Sequence, residues 1–262
     1  MAATPGPDRP PGVVGALEIA AGVAVLAGAA LQSATGFGFA LVSAPLLFAA
    51  AEPEQAVGLL IVLGLLVNLM TLGTEGRRPQ PLVRDSLTML AWAVPGVFAG
   101  ALALRALDAT ALQVGVTLGV FATLAVRALA RRRGDGAPGD PPRWAAPLTG
   151  FSSGALTTST NTAGPPVVLY MLARGATPVQ TRDTLTATFV GYALLGFAAL
   201  LLSGTEGAIP HANALAALVP AVVIGHLAGR PVFARIAGRH YEPVLTGVLI
   251  ATALAGLATA LL

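Results

Sequence analysis

The chain has 262 residues, of which 55% are hydrophobic and only 10% charged, with a mean hydropathy of +0.77. A soluble domain carries about 25% charged residues, so this composition excludes a water-soluble globular protein and points to a helical membrane protein. The net charge is only +3, every basic residue is an arginine and cysteine is absent, which argues against a nucleic-acid surface and excludes disulfides and thiolate metal sites.

The first twelve residues are polar and proline-rich, with Arg9 as their one base. That is a poor start for a cleaved leader, and the first apolar segment reads as retained. Apolar segments then follow at about 13–31, 37–51, 55–73, 86–105, 109–128, 144–157, 165–174, 184–203, 211–230 and 243–262. A membrane-crossing helix needs about 20 apolar residues. The third, fourth, fifth, eighth, ninth and tenth segments meet that length. The other four form two pairs of shorter helices.

Each short pair flanks an interruption. The first is Gln32-Ser33-Ala34-Thr35-Gly36-Phe37-Gly38-Phe39, followed by Pro45. The second is Thr157-Thr158-Ser159-Thr160-Asn161-Thr162-Ala163-Gly164-Pro165-Pro166. Such residues leave backbone groups unpaired, which lipid tolerates only where protein or a wet cavity surrounds them. A matched pair of interruptions is the best sequence pointer to a transporter's substrate site.

The loops give an orientation. Arg77, Arg78 and Arg84 follow the third segment. Arg127, Arg131, Arg132, Arg133 and Arg143 lie in or beside the central linker, and Arg230, Arg235 and Arg239 at the end of the ninth. The positive-inside rule makes these regions cytoplasmic, and the arginine-free loops at Glu52–Glu54 and Glu206 external. Arg174 and Arg182 also fall inside, so the second pair enters and leaves on the inner face. Inverted copying then puts the first pair, and both termini, on the outer face.

The copying is visible in the residues. Pro53, Gln55, Pro95, Gly100 and Arg105 each have an identical partner 125 positions on, at Pro178, Gln180, Pro220, Gly225 and Arg230. The expected architecture is an all-α transmembrane bundle of two inverted repeats, each a broken or re-entrant hairpin plus three spanning helices. The expected divisions are a first repeat at 1–128, a cytoplasmic linker at 129–143 and a second repeat at 144–262.

A helix beginning in mid-membrane points free N–H groups and partial positive charge at whatever faces it, which suits an anion. Gly36 and Gly38 lie at the start of the second segment, Gly164 and Pro165 at the start of the seventh. Around them sit neutral hydrogen-bonding groups: Gln32, Ser33, Thr35, Thr157, Thr158, Ser159, Thr160 and Asn161. These residues form the candidate substrate site. Asn68, Thr186, Thr188 and Tyr192 are candidates for the cavity wall. His226 is a candidate for proton coupling, because ionisable groups within spans default to functional hypotheses. Glu18 reads as near enough to the outer end to reach water. Gly28, Gly96, Gly100, Gly150, Gly154, Gly225 and Gly229 read as helix-packing positions. No carboxylate pair, metal cluster, nucleophile motif or nucleotide-binding loop is present, so no enzyme activity, cofactor or metal is expected. The expected partners are a small anion and the bilayer, with a homo-oligomer left open.

At these motifs the chain resembles the TauE/SafE family of membrane permeases, also called the sulfite exporter or toluene sulfonate uptake permease family. The residues carrying the resemblance are Gln32-Ser33-Ala34-Thr35-Gly36-Phe37-Gly38-Phe39 with Pro45-Leu46-Leu47 in the first half. In the second half they are Gly150, Gly154, the Thr157–Thr162 run, Gly164-Pro165-Pro166 and Tyr170. The resemblance implies transport of a small sulfur-containing or carboxylated anion, such as sulfite or a sulfonate, across a bacterial inner membrane, with export by alternating access. The chain departs from the family pattern where Phe39 and Ala40 follow Gly38 without a third glycine, and where Thr157, Ser159 and Asn161 replace glycines. A passive anion channel and a non-transporting scaffold or sensor are the alternative readings.

Overall fold

The computed structural model describes residues 11–106, 140–238 and 240–261. The fifth apolar segment (109–128) and most of the expected linker (129–143) lie outside the described residues, as does Arg239. Among the described residues there are nine α-helices and no strand. They are α1 (Pro11–Thr35), α2 (Phe39–Ala50), α3 (Pro53–Thr74), α4 (Val83–Ala106), α5 (Ala145–Ser159), α6 (Gly164–Arg174), α7 (Pro178–Leu202), α8 (Ala212–Ile236) and α9 (Tyr241–Leu261). A 3-10 turn, Glu206–Ala208, joins α7 to α8.

Five of these are long and apolar enough to cross a membrane: Leu17–Thr35 within α1, then α3, α4, α7 and α8. The sequence reading placed α1 among the shorter segments. Its helix runs on to Thr35 because the side chains of Gln32, Ser33 and Thr35 find partners on neighbouring helices or their own backbone. Outward-facing Ile19, Val23, Leu87, Trp92, Leu102, Leu148, Leu194, Ile224 and Leu227 are exposed, as expected where the outer solvent is hydrocarbon.

Two loop clusters define the ends of the bundle. At one end Gln55 pairs with His211 at 2.5 Å, and Arg105 donates to the Ser203 carbonyl. At the other, Arg77 binds Asp183, the Leu82 amide donates to Thr184, and Arg174 pairs with both Asp85 and Asp140. The α1–α2 hairpin opens toward the first end, where α2 runs into α3. The α5–α6 hairpin opens toward the second, between Asp140 and Arg174.

The packing has a recurring scheme. α4 lies along α5, and α8 along α1; α3 lies against α7; α4 touches α7 as α8 touches α3. Exchanging the first four helices with α5–α8 maps this set of pairings onto itself. The helix starts agree: Phe39 and Gly164, like Pro53 and Pro178, lie 125 positions apart. Both prolines sit in a first turn, where a missing N–H costs nothing.

Glycines set the closest approaches. A Cβ on Gly96 would overlap the Phe151 carbonyl, one on Gly225 the Leu26 carbonyl, and one on Gly229 the Ala30 carbonyl. With no driving force from water between helices in lipid, such close packing is a main source of cohesion. Gly229→Ala is expected to force α8 off α1 and cost about 1–3 kcal/mol. Gly22→Ala, where no atom of another element lies within 4 Å of the added carbon, is expected to keep stability or raise it by about 0.5–1 kcal/mol. Thermal unfolding in detergent compares the two.

Candidate functional site

The first interruption is narrower than its sequence suggests. Helix α1 continues through Thr35, and only Gly36–Gly38 break it. Gly36 and Gly38 adopt φ of 88° and 111°, a region that glycine enters without a Cβ penalty. The Thr35 hydroxyl approaches the Leu31 carbonyl at 2.8 Å and the Phe37 carbonyl at 2.6 Å, bracing the turn from within. Gln32 reaches across it, and its Oε1 accepts the Phe39 N–H at 3.0 Å, which satisfies the first amide of α2.

The second interruption is also shorter than the polar run. Thr157 and Ser159 remain helical because their hydroxyls donate to the carbonyls of Ser153 at 2.8 Å and Ala155 at 2.9 Å, one turn back. Thr158 instead donates to the Val97 carbonyl on α4 at 2.7 Å. The break proper is Thr160–Ala163. Asn161 holds a φ of 55°, and it is the non-glycine residue with positive φ among the described residues. Asparagine tolerates this conformation better than other side chains. Gly36 and Asn161, both left-handed, are again 125 positions apart.

The two breaks meet. Phe37 at the first tip packs on Gly164 at the second, where a Cβ would lie 3.1 Å from the ring. Beside this contact is a cavity of about 50 Å³, room for roughly three or four waters. Gln32, Asn68, Thr157, Asn161, Thr162 and Tyr192 supply its polar wall; Phe39, Leu41, Ile61, Leu65, Phe189 and Ala193 supply the apolar one. Among the described residues no charged side chain lines it.

The polarity of that wall follows from one bond. The Phe39 amide can only donate, so Gln32 must turn its oxygen to it. The Gln32 Nε2 then donates to Asn68 Oδ1 at 2.7 Å, so the Asn68 amide must turn its Nδ2 outward. Each oxygen then holds one bond, and the Asn68 N–H groups and the second Gln32 N–H are left to donate. The Asn161 side chain makes no hydrogen bond among the described residues, and its Nδ2 lies beside Gly64. The Tyr192 ring also lines the space, but its hydroxyl is sealed from it beside the Ser153 hydroxyl of α5. Ala40 and Leu41, also on the wall, lie in the first turn of α2, where backbone N–H groups have no partner within the helix. The α6 terminus offers fewer such donors, because Pro165 and Pro166 carry no N–H.

Of the residues expected at the site, Gln32, Gly38, Thr157, Asn161 and Gly164 line the cavity, with Asn68 and Tyr192. Ser33, Thr35, Gly36, Thr158, Ser159, Thr160 and Pro165 do not; they build the tips behind it. Thr160 pairs with Thr162 at 2.7 Å. Thr186 bonds back to the Arg182 carbonyl at 2.8 Å and Thr188 bonds Ser86 at 3.0 Å, and neither is among the lining residues. His226 is also off the wall. Its ring bridges Ser33 at 2.8 Å and Thr74 at 3.0 Å, joining α8 to α1 and α3. Glu18 is exposed.

Sequence reasoning set Arg182 beside Arg174 on the cytoplasmic side, just before the apolar segment at 184–203, and the structure draws it into the helix instead. Arg182 lies in the first turns of α7 and is fully buried. Its Nε and Nη2 donate to the Ser33 carbonyl at 3.0 and 2.5 Å, and its Nη1 lies 2.6 Å from Glu75. The guanidinium stacks 4.1 Å above Phe233, and Tyr241 donates to the Thr35 carbonyl at 2.6 Å. These groups satisfy the carbonyl end of α1, where positive charge is favoured. Beside them Arg77 binds Asp183 bidentately at 2.6 and 2.9 Å. That bonding raises the Arg77 pKa above its ordinary value against the opposing effect of burial. The sequence does hold a signal for this clasp: Glu75 is the lone acid beside Arg77 and Arg78, and Arg182-Asp183 sits inside a helix start rather than before it.

A family model described as sulfite exporter TauE/SafE matches residues 20–256 of the chain. No curated protein and no solved structure matches it.

Removing one member of a buried ion pair leaves the other uncompensated, at a cost of about 3–5 kcal/mol. Glu75→Ala is therefore expected to lower the thermal midpoint sharply. Glu75→Ala combined with Arg182→Met is expected to recover much of the loss. Unfolding curves of the single and double variants in detergent check this.

Proposed function

The chain belongs to the TauE/SafE sulfite exporter family, a family of membrane transporters, and from that membership we propose that it is a secondary permease for a small oxyanion. The observation that carries the proposal is the run of amide donors on the cavity wall. Phe39 N–H fixes Gln32, Gln32 fixes Asn68, and the amides of Asn68 and Asn161 line the space between the tips. A cation would meet few free acceptors there, whereas an oxyanion would exchange its water shell for amide and hydroxyl donors. The size of about 50 Å³ favours sulfite or a compact sulfonate over bulkier solutes.

The mechanism proposed is alternating access by two inverted repeats in a bacterial inner membrane. The exchange-symmetric packing and the 125-residue spacing of helix starts support the repeats. Hairpins opening toward opposite ends of the bundle support an inverted relation. In such carriers one half rocks against the other around a fixed midplane site. The arginine distribution supports an outer end at Glu52–Glu54 and Glu206 and an inner end at Arg77, Arg174 and Arg182. Export, the direction named by the family description, completes the reading.

In proteoliposomes the protein is expected to move sulfite with saturating, exchange-stimulated kinetics. Asn161→Gly keeps the left-handed backbone and deletes the amide. It is expected to lower apparent affinity by roughly 10- to 100-fold, the worth of a hydrogen bond to a charged partner, with stability unchanged. Equal transport by the variant would remove Asn161 from the site. For orientation, the absence of native cysteine allows clean labelling. Glu206→Cys is expected to react with an impermeant thiol reagent added outside intact cells, and Arg78→Cys only after lysis.

A further inference from the structure

We infer that the cavity takes a singly charged oxyanion and refuses doubly charged ones; this rests on the anion-permease reading above and adds the charge class of the solute. Among the described residues the cavity is walled by neutral groups alone. Arg182 packs against Gly36 at the first tip, but its guanidinium is committed to Glu75 and the Ser33 carbonyl. Arg77 is likewise committed to Asp183. These four side chains are two cations and two anions, so the cluster lends the cavity no net positive charge.

The cost of desolvating an ion grows with the square of its charge, so a second charge makes it about four times larger. Fixed neutral donors recover energy only in proportion to the charge. A wall of a few donors facing Phe39, Ile61, Leu65 and Phe189 can therefore offset one charge far better than two.

The test is flux in proteoliposomes of the full chain, with equal pH on both sides and at several pH values spanning the second ionisation of sulfite. Nitrate and methanesulfonate serve as permanent monoanions and sulfate as a permanent dianion. Tyr192 in the wall, and Glu75, Arg77, Arg182, Asp183, His226 and Tyr241 around the first tip, are the ionisable groups nearby among the described residues. Their effect acts on every anion and is read from the permanent monoanions. Sulfite flux is expected to fall as hydrogen sulfite loses its proton while monoanion flux holds steady. Sulfate is expected to move more slowly than the monoanions by about tenfold or more. Sulfate moving as fast as the monoanions, or sulfite flux rising as the dianion accumulates, overturns the inference and leaves the permease reading intact. No flux of any of these anions overturns both.

Discussion

A single backbone amide, the Phe39 N–H, orders the centre of this molecule. It opens a short helix inside the bundle, where an unpaired donor in an apolar setting costs several kcal/mol. Gln32 meets it from the preceding helix. Because the amide can give a proton and never take one, the polarity of every group beyond it is decided: Gln32 oxygen inward, Gln32 nitrogen to Asn68, Asn68 nitrogen to the cavity. A need of the fold thereby sets the chemical character of the site.

Much of this was legible in the residues. The two interruptions, their meeting and the 125-residue spacing followed from where glycine, proline and hydroxyl residues interrupt apolar runs. The extent of each break did not, because a serine or threonine in a helix can return its hydroxyl to the carbonyl one turn back. Thr35, Thr157 and Ser159 do so, so composition alone overstates the break. The division of the polar residues between wall and scaffold was also hidden. Thr158 and Thr160 lie beside Thr157 and Asn161 in the chain yet face away, because a helix end presents successive side chains in different directions.

Arg182 was misplaced for a different reason. Counting arginines to find cytoplasmic loops treats each as solvated, and most of the described ones are exposed. This one is taken up by the end of α1, whose carbonyls at Ser33 and Thr35 need donors that the broken chain cannot supply. The interruption that creates the cavity thus also creates a demand for buried positive charge a few residues away. Glu75 then balances the cation, and the neighbourhood of the cavity is left neutral.

The two hairpins share a plan but are tethered differently. The tip of the first is tied to α7 and α9 by Arg182 and Tyr241. That of the second is held by one bond to α4, from Thr158 to the Val97 carbonyl, by the short-range bond of Thr160 and Thr162 and by packing on Phe37. Displacing the first means stripping a guanidinium and a phenol from buried carbonyls; displacing the second means breaking one neutral hydrogen bond and unstacking a ring from a glycine. The energy landscape of this molecule is therefore lopsided even though its scaffold is nearly two-fold, and thermal fluctuation will begin at the second hairpin.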